Sequence, residues 1–257
     1  AGLRRGNIVG VRLRLLLLGA CVLTACQDDT LDFTDITDGG ERTETFLQLE
    51  PSRADILWVV DSSCSMVDEQ EALAENFPSF LQYFVTSGLD YHIGVVSTDL
   101  EDPAHSGKLQ RQMGYSYIDE NTPNPEVVFA QMVQLGNGGW FEERGRDAAF
   151  TALDLRRDDD RNFGFFRDSA ALDVIFVSDE DDQSVLITAI EFREWFTNLK
   201  WSPDQATAHA IVAPNLFGEC AEAAEVGSQY IQYADYSGGA DFSICQSDWD
   251  PMLDQLG

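Results

Sequence analysis

The chain has 257 residues, of which 45 are acidic and 16 are basic, so its formal net charge at pH 7 is −29. This length allows one α/β domain with a full core, or two small domains. Nucleic acid and anionic lipid headgroups are excluded as direct partners, because phosphate binding needs clustered lysine and arginine. Divalent cations or basic partners would be attracted, although solubility alone is the simplest explanation of the bulk charge.

Residues 1–25 have the features of a signal peptide. A basic region precedes the apolar run over residues 15–25, which is too short to span a bilayer as a helix. The run ends in Leu23-Thr24-Ala25-Cys26, which resembles the bacterial lipobox, where signal peptidase II cuts before a cysteine that carries diacylglycerol. We therefore predict lipidation at Cys26. A weaker lipobox ends at Cys21, and a plain secretory signal or an uncleaved anchor are the alternatives.

Residues 26–51 are acidic and rich in threonine, and they predict a flexible tether between the lipid and a domain over residues 52–257. The anchor would place the chain in the cell envelope, with membrane contact only through the lipid. Gln27 follows the cysteine where an aspartate would favour retention in the inner membrane of some bacteria. The outer membrane is therefore slightly preferred.

Three cysteines follow Cys26, which is consistent with an oxidising compartment. Cys220 and Cys245 lie 25 residues apart in one C-terminal segment, and we predict a disulfide between them. Cys64 is then the odd cysteine. A bridge from Cys64 to either of the other two stays open as an alternative.

From residue 54 onward, strand patterns alternate with helix patterns. Continuous apolar runs predict four strands, over 54–60, 90–98, 171–178 and 206–213, with a short edge strand near 108–113. Amphipathic spacing predicts helices over 67–86, 125–135, 146–155, 187–199, 222–234 and 247–256, and Pro78 should kink or divide the first of them. The alternation predicts an α/β fold: a doubly wound, mostly parallel central sheet with helices on both faces.

Polar clusters follow two of these strands, at the sheet edge where sites form in such folds. Asp61, Ser63 and Ser65 make the pattern Asp-x-Ser-x-Ser after the first strand, and Asp179 ends the strand over 171–178. Carboxylate and hydroxyl oxygens are hard ligands that suit Mg²⁺, Mn²⁺ or Ca²⁺. The pattern alone would also fit a solvated turn or a helix N-cap, but its position between a buried strand and a helix supports a metal site.

Three segments resemble the von Willebrand factor type A (vWA) domain. DILWVVDSSCSM (55–66) is similar to the family's first motif, whose metal-ion-dependent adhesion site begins Asp-x-Ser-x-Ser. IGVVSTD (93–99) is similar to its second strand, and DVIFVSDEDD (173–182) to the strand that carries a later metal-site aspartate. The likeness covers about residues 52–257, is closest to vWA lipoproteins of bacteria, and implies a Rossmann-like vWA fold.

The resemblance implies a ligand set for a divalent cation, with Mg²⁺ the first expectation. Ser63 and Ser65 would bind it directly, and Asp61 and Asp179 through water and hydrogen bonds. The family's threonine from a middle loop is absent before the helix in GGWFEERGRDAAFTAL (138–153), where Glu143 is the candidate replacement and Glu142 the next. In the family, an acidic side chain of the partner often supplies the last ligand, and an internal glutamate could compete with it.

These observations predict a non-catalytic, envelope-tethered binding or adhesion module that recognises a protein ligand through the metal. A structural envelope or assembly component with a stabilising metal is the alternative. A metal-assisted hydrolase is less favoured, because serines stand where a phosphatase usually needs a second carboxylate. Around the site, we expect Glu180, Asp181 and Asp182 to form a solvated loop, and Asp99 could support the site from behind.

Overall fold

A computed structural model describes residues 53–221 and 223–256. The segments predicted as signal peptide and tether, and the predicted lipidation site Cys26, lie outside the described residues. Across the part of the chain that the structure describes, no helix combines the length and apolar character needed to cross a bilayer.

Five parallel strands form one sheet in the order β2-β1-β3-β4-β5. Their bounds are Arg53–Val60, Asp90–Ser97, Ala171–Ser178, Ala206–Val212 and Asp241–Ser243 for β1 to β5. The four longer strands match the predicted runs to within one residue at each end. Parallel strands covered on both faces need apolar residues at every position, which explains why these runs were continuous.

Helices cover both faces of the sheet, so the predicted doubly wound α/β fold is confirmed. The helices are α1 (Val67–Ser87), α2 (Pro125–Val133), α3 (Gly145–Phe150, continued by a π-turn over Thr151–Leu155), α4 (Ala189–Thr197), α5 (Ser228–Ser237) and α6 (Asp250–Leu256). On one face, Trp58 of β1 packs against Phe80 and Phe129 of α1 and α2. On the other, Phe176 of β3 stacks on Tyr230 of α5.

Three helix and strand predictions were wrong. Pro78 lies inside α1, which continues through it as one helix, so of the two outcomes predicted for Pro78 the division of the helix is wrong. The helix expected from residue 222 begins at Ser228, after a loop in which Glu225 N donates to Asp179 O. At Gly227, just before the helix, a Cβ atom would lie 2.5 Å from the Cβ of Val212, so the chain passes very close to β4.

The predicted edge strand near 108–113 is the third error. That segment meets β2 only through isolated contacts, such as Gln110 N donating to Val95 O at 2.8 Å. The antiparallel bridge to β2 forms further along, between Ile93 and Ile118. The short β5 was not predicted, because three residues are too few to show a strand pattern.

The predicted disulfide is present. Cys220 and Cys245 are bonded, and the bond links the segment after β4 to the segment after β5. Cys64 is exposed and bonded to neither of them, so the alternative pairings of Cys64 with Cys220 or Cys245 are wrong.

Candidate metal centre

The turn after β1 brings alternate side chains together. Asp61 continues the sheet by donating its N–H to Val177 O, and Met66 N then closes a turn onto Ser63 O. Met66 is fully buried, which returns the chain to the core at the start of α1. As a result, the hydroxyls of Ser63 and Ser65 lie 3.0 Å apart, as the spacing of the motif suggested.

Asp179 joins this turn from the neighbouring strand. Because β3 pairs with β1 in parallel register, both strands end at the same edge. The Ser65 hydroxyl donates to Asp179 Oδ1 at 3.0 Å. Burial raises the pKa of Asp179 above its usual value, and the hydrogen bond from Ser65 opposes this increase.

Asp61 is fully buried behind the two serines. One carboxylate oxygen accepts from Ser63 N at 2.7 Å, and the other accepts from the Ser178 hydroxyl at 2.6 Å. Burial raises the pKa of Asp61, while these hydrogen bonds favour its charged form. The carboxylate is therefore held in place by neutral donors, without a basic partner among them.

Glu143 lies beside Asp61, and Glu142 does not. Glu143 is 1% exposed; the Thr98 hydroxyl donates to its Oε2, and its buried Oε1 accepts no hydrogen bond from the residues that the structure describes. Burial and then the charge of Asp61 raise the pKa of Glu143 to about 9. Glu142 instead pairs with Arg144 nearer the surface. Of the two candidates, only Glu143 contributes to the cluster.

Thr98 and Ser178 are members of the cluster that the sequence analysis did not select. Thr98 directly follows β2 and Ser178 is the last residue of β3, and each donates its hydroxyl to a buried carboxyl group. The available signal was a hydroxyl residue at the carboxyl end of a strand next to β1. Gln70 of α1 adds support from the back, since its amide donates to Asp61 O and Gly136 O.

The acidic stretch after Asp179 is not the solvated loop that was expected. Asp182 is 3% exposed, lies 3.2 Å from Arg146, and accepts from the Tyr233 hydroxyl. Asp181 accepts from Gln229 N at 2.8 Å, which ties the loop to the start of α5. Glu180 remains partly exposed, and burial together with the charge of Asp61 raises its pKa to about 7.

Asp99 supports the loops around the cluster. Asp99 is 6% exposed, and its carboxylate accepts hydrogen bonds from the backbone N–H groups of Glu101, Asp102 and Trp140. This matches the supporting role considered for Asp99. It holds the loop that leads to Glu143 against the end of β2.

The donor set suits a hard cation that uses hydroxyl ligands. Among the described residues, no three or more His, Cys, Asp and Glu side chains form a metal-holding group by themselves. A cation here would therefore depend on Ser63 and Ser65 as well as on the carboxylates. Buried polar atoms are nearly always paired, and Glu143, whose Oε1 accepts from no donor among the described residues, lies beside the Asp61 carboxylate, so a cation would suit this pair of carboxyl groups.

Comparison with known proteins gives distant structural matches only. No family model and no curated protein matches the chain. Two structures of proximal thread matrix protein 1 from the mussel byssus are similar, at 14% identity and a TM-score of 0.47, and at 15% and 0.42. Each match covers 79% of this chain. It covers 46% of the mussel chain in the first structure and 45% in the second, so this chain spans under half the length of that protein. These values define no family, so the fold is assigned from the chain's own topology.

Proposed function

We propose that the chain is a non-catalytic binding module of the vWA type, which holds a divalent cation at this edge and recognises a protein ligand there. The supporting observation is that hydroxyls and carboxylates from three adjacent strand ends come together, with the buried carboxyl group of Glu143 beside Asp61. Ser63 and Ser65 would contact the ion directly. Asp61 and Asp179 would act through water, and Glu143 would occupy the position of the family's threonine.

The bound cation, Mg²⁺ in the first place, would supply a concentrated positive charge on an otherwise acidic surface. Oxygen ligands at short distance are the usual environment of Mg²⁺ and Ca²⁺. The protein's own residues orient these oxygens: Ser178 and Ser63 N fix Asp61, and Thr98 fixes Glu143. The site would thereby gain a fixed point of contact for a partner.

Calorimetric titration of the purified chain with Mg²⁺, Mn²⁺ and Ca²⁺ tests the metal. We expect binding of one ion per chain, weakened at least tenfold by Asp61→Ala and by Ser65→Ala. Ser169→Ala is a matched control, since Ser169 is an exposed serine just before β3, at the opposite edge of the sheet. An absence of binding for all three ions in the unaltered chain would refute the metal centre.

The envelope anchor is a separate part of the proposal. We expect native Cys26 to carry diacylglycerol, which places the domain on a membrane surface through lipid alone. Mass spectrometry of a membrane extract would reveal the added mass on the peptide that begins at residue 26. An unmodified Cys26 would refute it.

A structural component with a stabilising metal is the second candidate, and Glu143 favours it. An internal carboxylate can complete the coordination that a partner would otherwise provide. The two candidates differ in their response to chelator. If the metal recruits a partner, chelator should abolish capture of that partner from the native envelope; if the metal only stabilises the fold, chelator should lower the melting temperature and leave capture unchanged.

A further inference from the structure

Two loops beside the candidate metal centre display large apolar side chains. Trp140 is 43% exposed and Phe141 is 68% exposed in the loop before Glu143. Val185 and Leu186, in the loop after β3, are 75% and 57% exposed. Single exposed apolar residues are common, but adjacent ones next to a polar site are typical of a surface that another molecule covers.

The first loop is anchored by backbone hydrogen bonds to the ends of β1 and β2. Gly139 N donates to Ser62 O at 3.1 Å, and Trp140 N donates to Asp99 Oδ2 at 3.2 Å. A Cβ atom at Gly139 would lie 2.3 Å from the Ser62 hydroxyl oxygen, so only glycine permits this approach. The rings of Trp140 and Phe141 lie 4.8 Å apart, which makes them one aromatic pair.

The second loop is held by a buried carboxylate. Asp147 Oδ2 accepts from Val185 N and Leu186 N, each at 2.8 Å, and its Oδ1 accepts from Ile187 N at 3.2 Å. The two loops also contact each other, because Gln183 N donates to Glu143 O at 2.7 Å. We call the surface formed by Trp140, Phe141, Val185 and Leu186 the loop surface.

Loops that are anchored by several hydrogen bonds lose less conformational entropy on binding than unanchored loops do. Pre-organised contacts of this kind give binding affinity more cheaply than flexible ones do. Tryptophan is also among the residues that contribute most to protein interfaces. The loop surface therefore has the properties of a docking site rather than of an unfinished core.

The charge around the loop surface indicates what the partner carries. The segments 99–102, 136–144 and 179–188 contain one basic residue, Arg144, which is paired with Glu101 and Glu142. The acidic side chains that reach the surface in these segments are Glu101, Asp102, Glu142, Glu180 and Asp181. An acidic group of a partner would be repelled there, whereas a basic group would be attracted and could stack on the indole of Trp140.

We propose that the loop surface binds a protein segment that places an arginine or lysine side chain on Trp140, with apolar contact to the adjacent Phe141 and, further along the segment, to Val185 and Leu186. The proposal names the chemistry of the partner for the site described above, and it rests on the proposed function for the position of that partner. It reverses the acidic contact that the vWA resemblance implies.

The test uses three short synthetic peptides that differ only in a central residue: arginine, glutamine or glutamate between leucines. Binding to the full chain with Mg²⁺ at physiological salt is followed by NMR shifts of the indole N–H groups. We expect the arginine peptide to bind about fivefold more tightly than the glutamine peptide, as for a cation over an exposed aromatic ring. The glutamate peptide should bind most weakly.

Two variants separate docking on Trp140 from general attraction to an acidic protein. Trp140→Ala should abolish the preference for arginine. Trp201→Ala should leave it unchanged, because Trp201 is 91% exposed but precedes β4, at the opposite edge of the sheet. Equal losses in both variants, or equal affinities of the unaltered chain for the arginine and glutamate peptides, would overturn the proposal.

Titration with Mg²⁺ alone distinguishes this inference from the proposed function. If Mg²⁺ does not bind and the arginine preference still depends on Trp140, the docking surface stands without the metal. If Mg²⁺ binds and the glutamate peptide is preferred, the metal-dependent function stands and the docking inference falls.

Discussion

Two buried aspartates lie near opposite ends of β1 and have different hydrogen-bond and charge partners. Asp55 lies near the start of β1 and Asp61 directly follows its end, and both are 0% exposed. Asp55 accepts from Arg167 Nε at 2.7 Å and from Arg167 N at 2.6 Å, and Lys200 is close enough to add a favourable charge. Asp61 has hydroxyl and amide donors and a second carboxyl group, Glu143, beside it.

The difference shows how to separate structural charge from functional charge in this molecule. A buried carboxylate that is matched by a guanidinium has its electrostatic cost largely offset within the fold. A buried carboxylate that is held only by neutral donors, next to another carboxyl group, has no positive charge beside it to offset the cost of its burial. At the N-terminal ends of the strands, which we call the amino edge, the buried carboxylate is balanced by basic groups. At their C-terminal ends, the carboxyl edge, it is not.

The largest expected effect comes from breaking the matched pair. Asp55→Asn should lower the free energy of unfolding by about 3 kcal/mol, because Arg167 loses its buried carboxylate and keeps only the more exposed Asp90. Asp61→Asn in metal-free buffer should cost far less, since it strands no cation. Urea denaturation measures both.

Asp168→Asn is the control for the first prediction, because Asp168 pairs with Arg157 at the surface. Its cost should stay below about 1 kcal/mol. Equal losses for Asp55→Asn and Asp61→Asn would contradict the distinction between the two edges.

The second effect is the stabilisation that a cation should bring to the carboxyl edge. At about 100 times its dissociation constant, Mg²⁺ should raise the free energy of unfolding by about 2.7 kcal/mol. Asp61→Asn should lose this increment, whereas Asp168→Asn should keep it. Thermal denaturation with and without Mg²⁺ measures the difference, and an increment that survives in Asp61→Asn would place the ion elsewhere.

The third effect is a pH dependence of the metal-free chain. Glu143 in the folded chain keeps its proton until its raised pKa of about 9, whereas in the unfolded chain it ionises near its ordinary value of 4.5. The folded state therefore binds more protons between these values, and stability should fall as pH rises through them. One such group contributes at most about 1.4 kcal/mol per pH unit.

Glu143→Gln removes this titration and should reduce the slope of unfolding free energy against pH. Asp61, Asp179 and Glu180 also have raised pKa values, so part of the slope should remain. Denaturation at several pH values from 5 to 8, in the presence of chelator, makes the comparison. An unchanged slope would show that Glu143 is ionised in the folded chain.

The smallest effect is a pH dependence of opposite sign at the amino edge. Burial lowers the pKa of Lys200 to about 8, from an ordinary value of 10.5. Between these values the unfolded chain binds the extra proton, so this residue should make stability rise with pH. Lys200→Met should remove that contribution. A steeper rise in Lys200→Met than in the unaltered chain would contradict the assignment.

The sequence predicts the interior of the fold better than its margins. The strands β1 and β3 can be recognised in the sequence as apolar runs, because helices cover both of their faces. The start of α5 cannot be predicted from the sequence. Residues 223–226 suit a helix by composition, but contacts with Asp179 and Val212 hold this part of the chain in a loop. Tertiary contacts of this kind override local propensity.

The candidate site shows the same division. Asp61, Ser63, Ser65 and Asp179 could be selected because their spacing and their positions after strands are visible in the sequence. The participation of Thr98 and Ser178 depends on strand order, which places the ends of β2 and β3 on either side of β1. The choice of Glu143 over Glu142 depends on which of two adjacent side chains turns inward, which no pattern in the sequence specifies.

The position of β1 in the sheet has a mechanical consequence. The described chain enters the sheet at Arg53, the first residue of a central strand that pairs with β2 along eight residues and with β3 along seven. A pull on the preceding residues would load both ladders together, in shear, instead of peeling off an edge strand. Resistance to such force is set by the unfolding rate. A domain held by its N-terminal side would therefore bear load through its best-supported strand, whose far end carries the Asp61 turn.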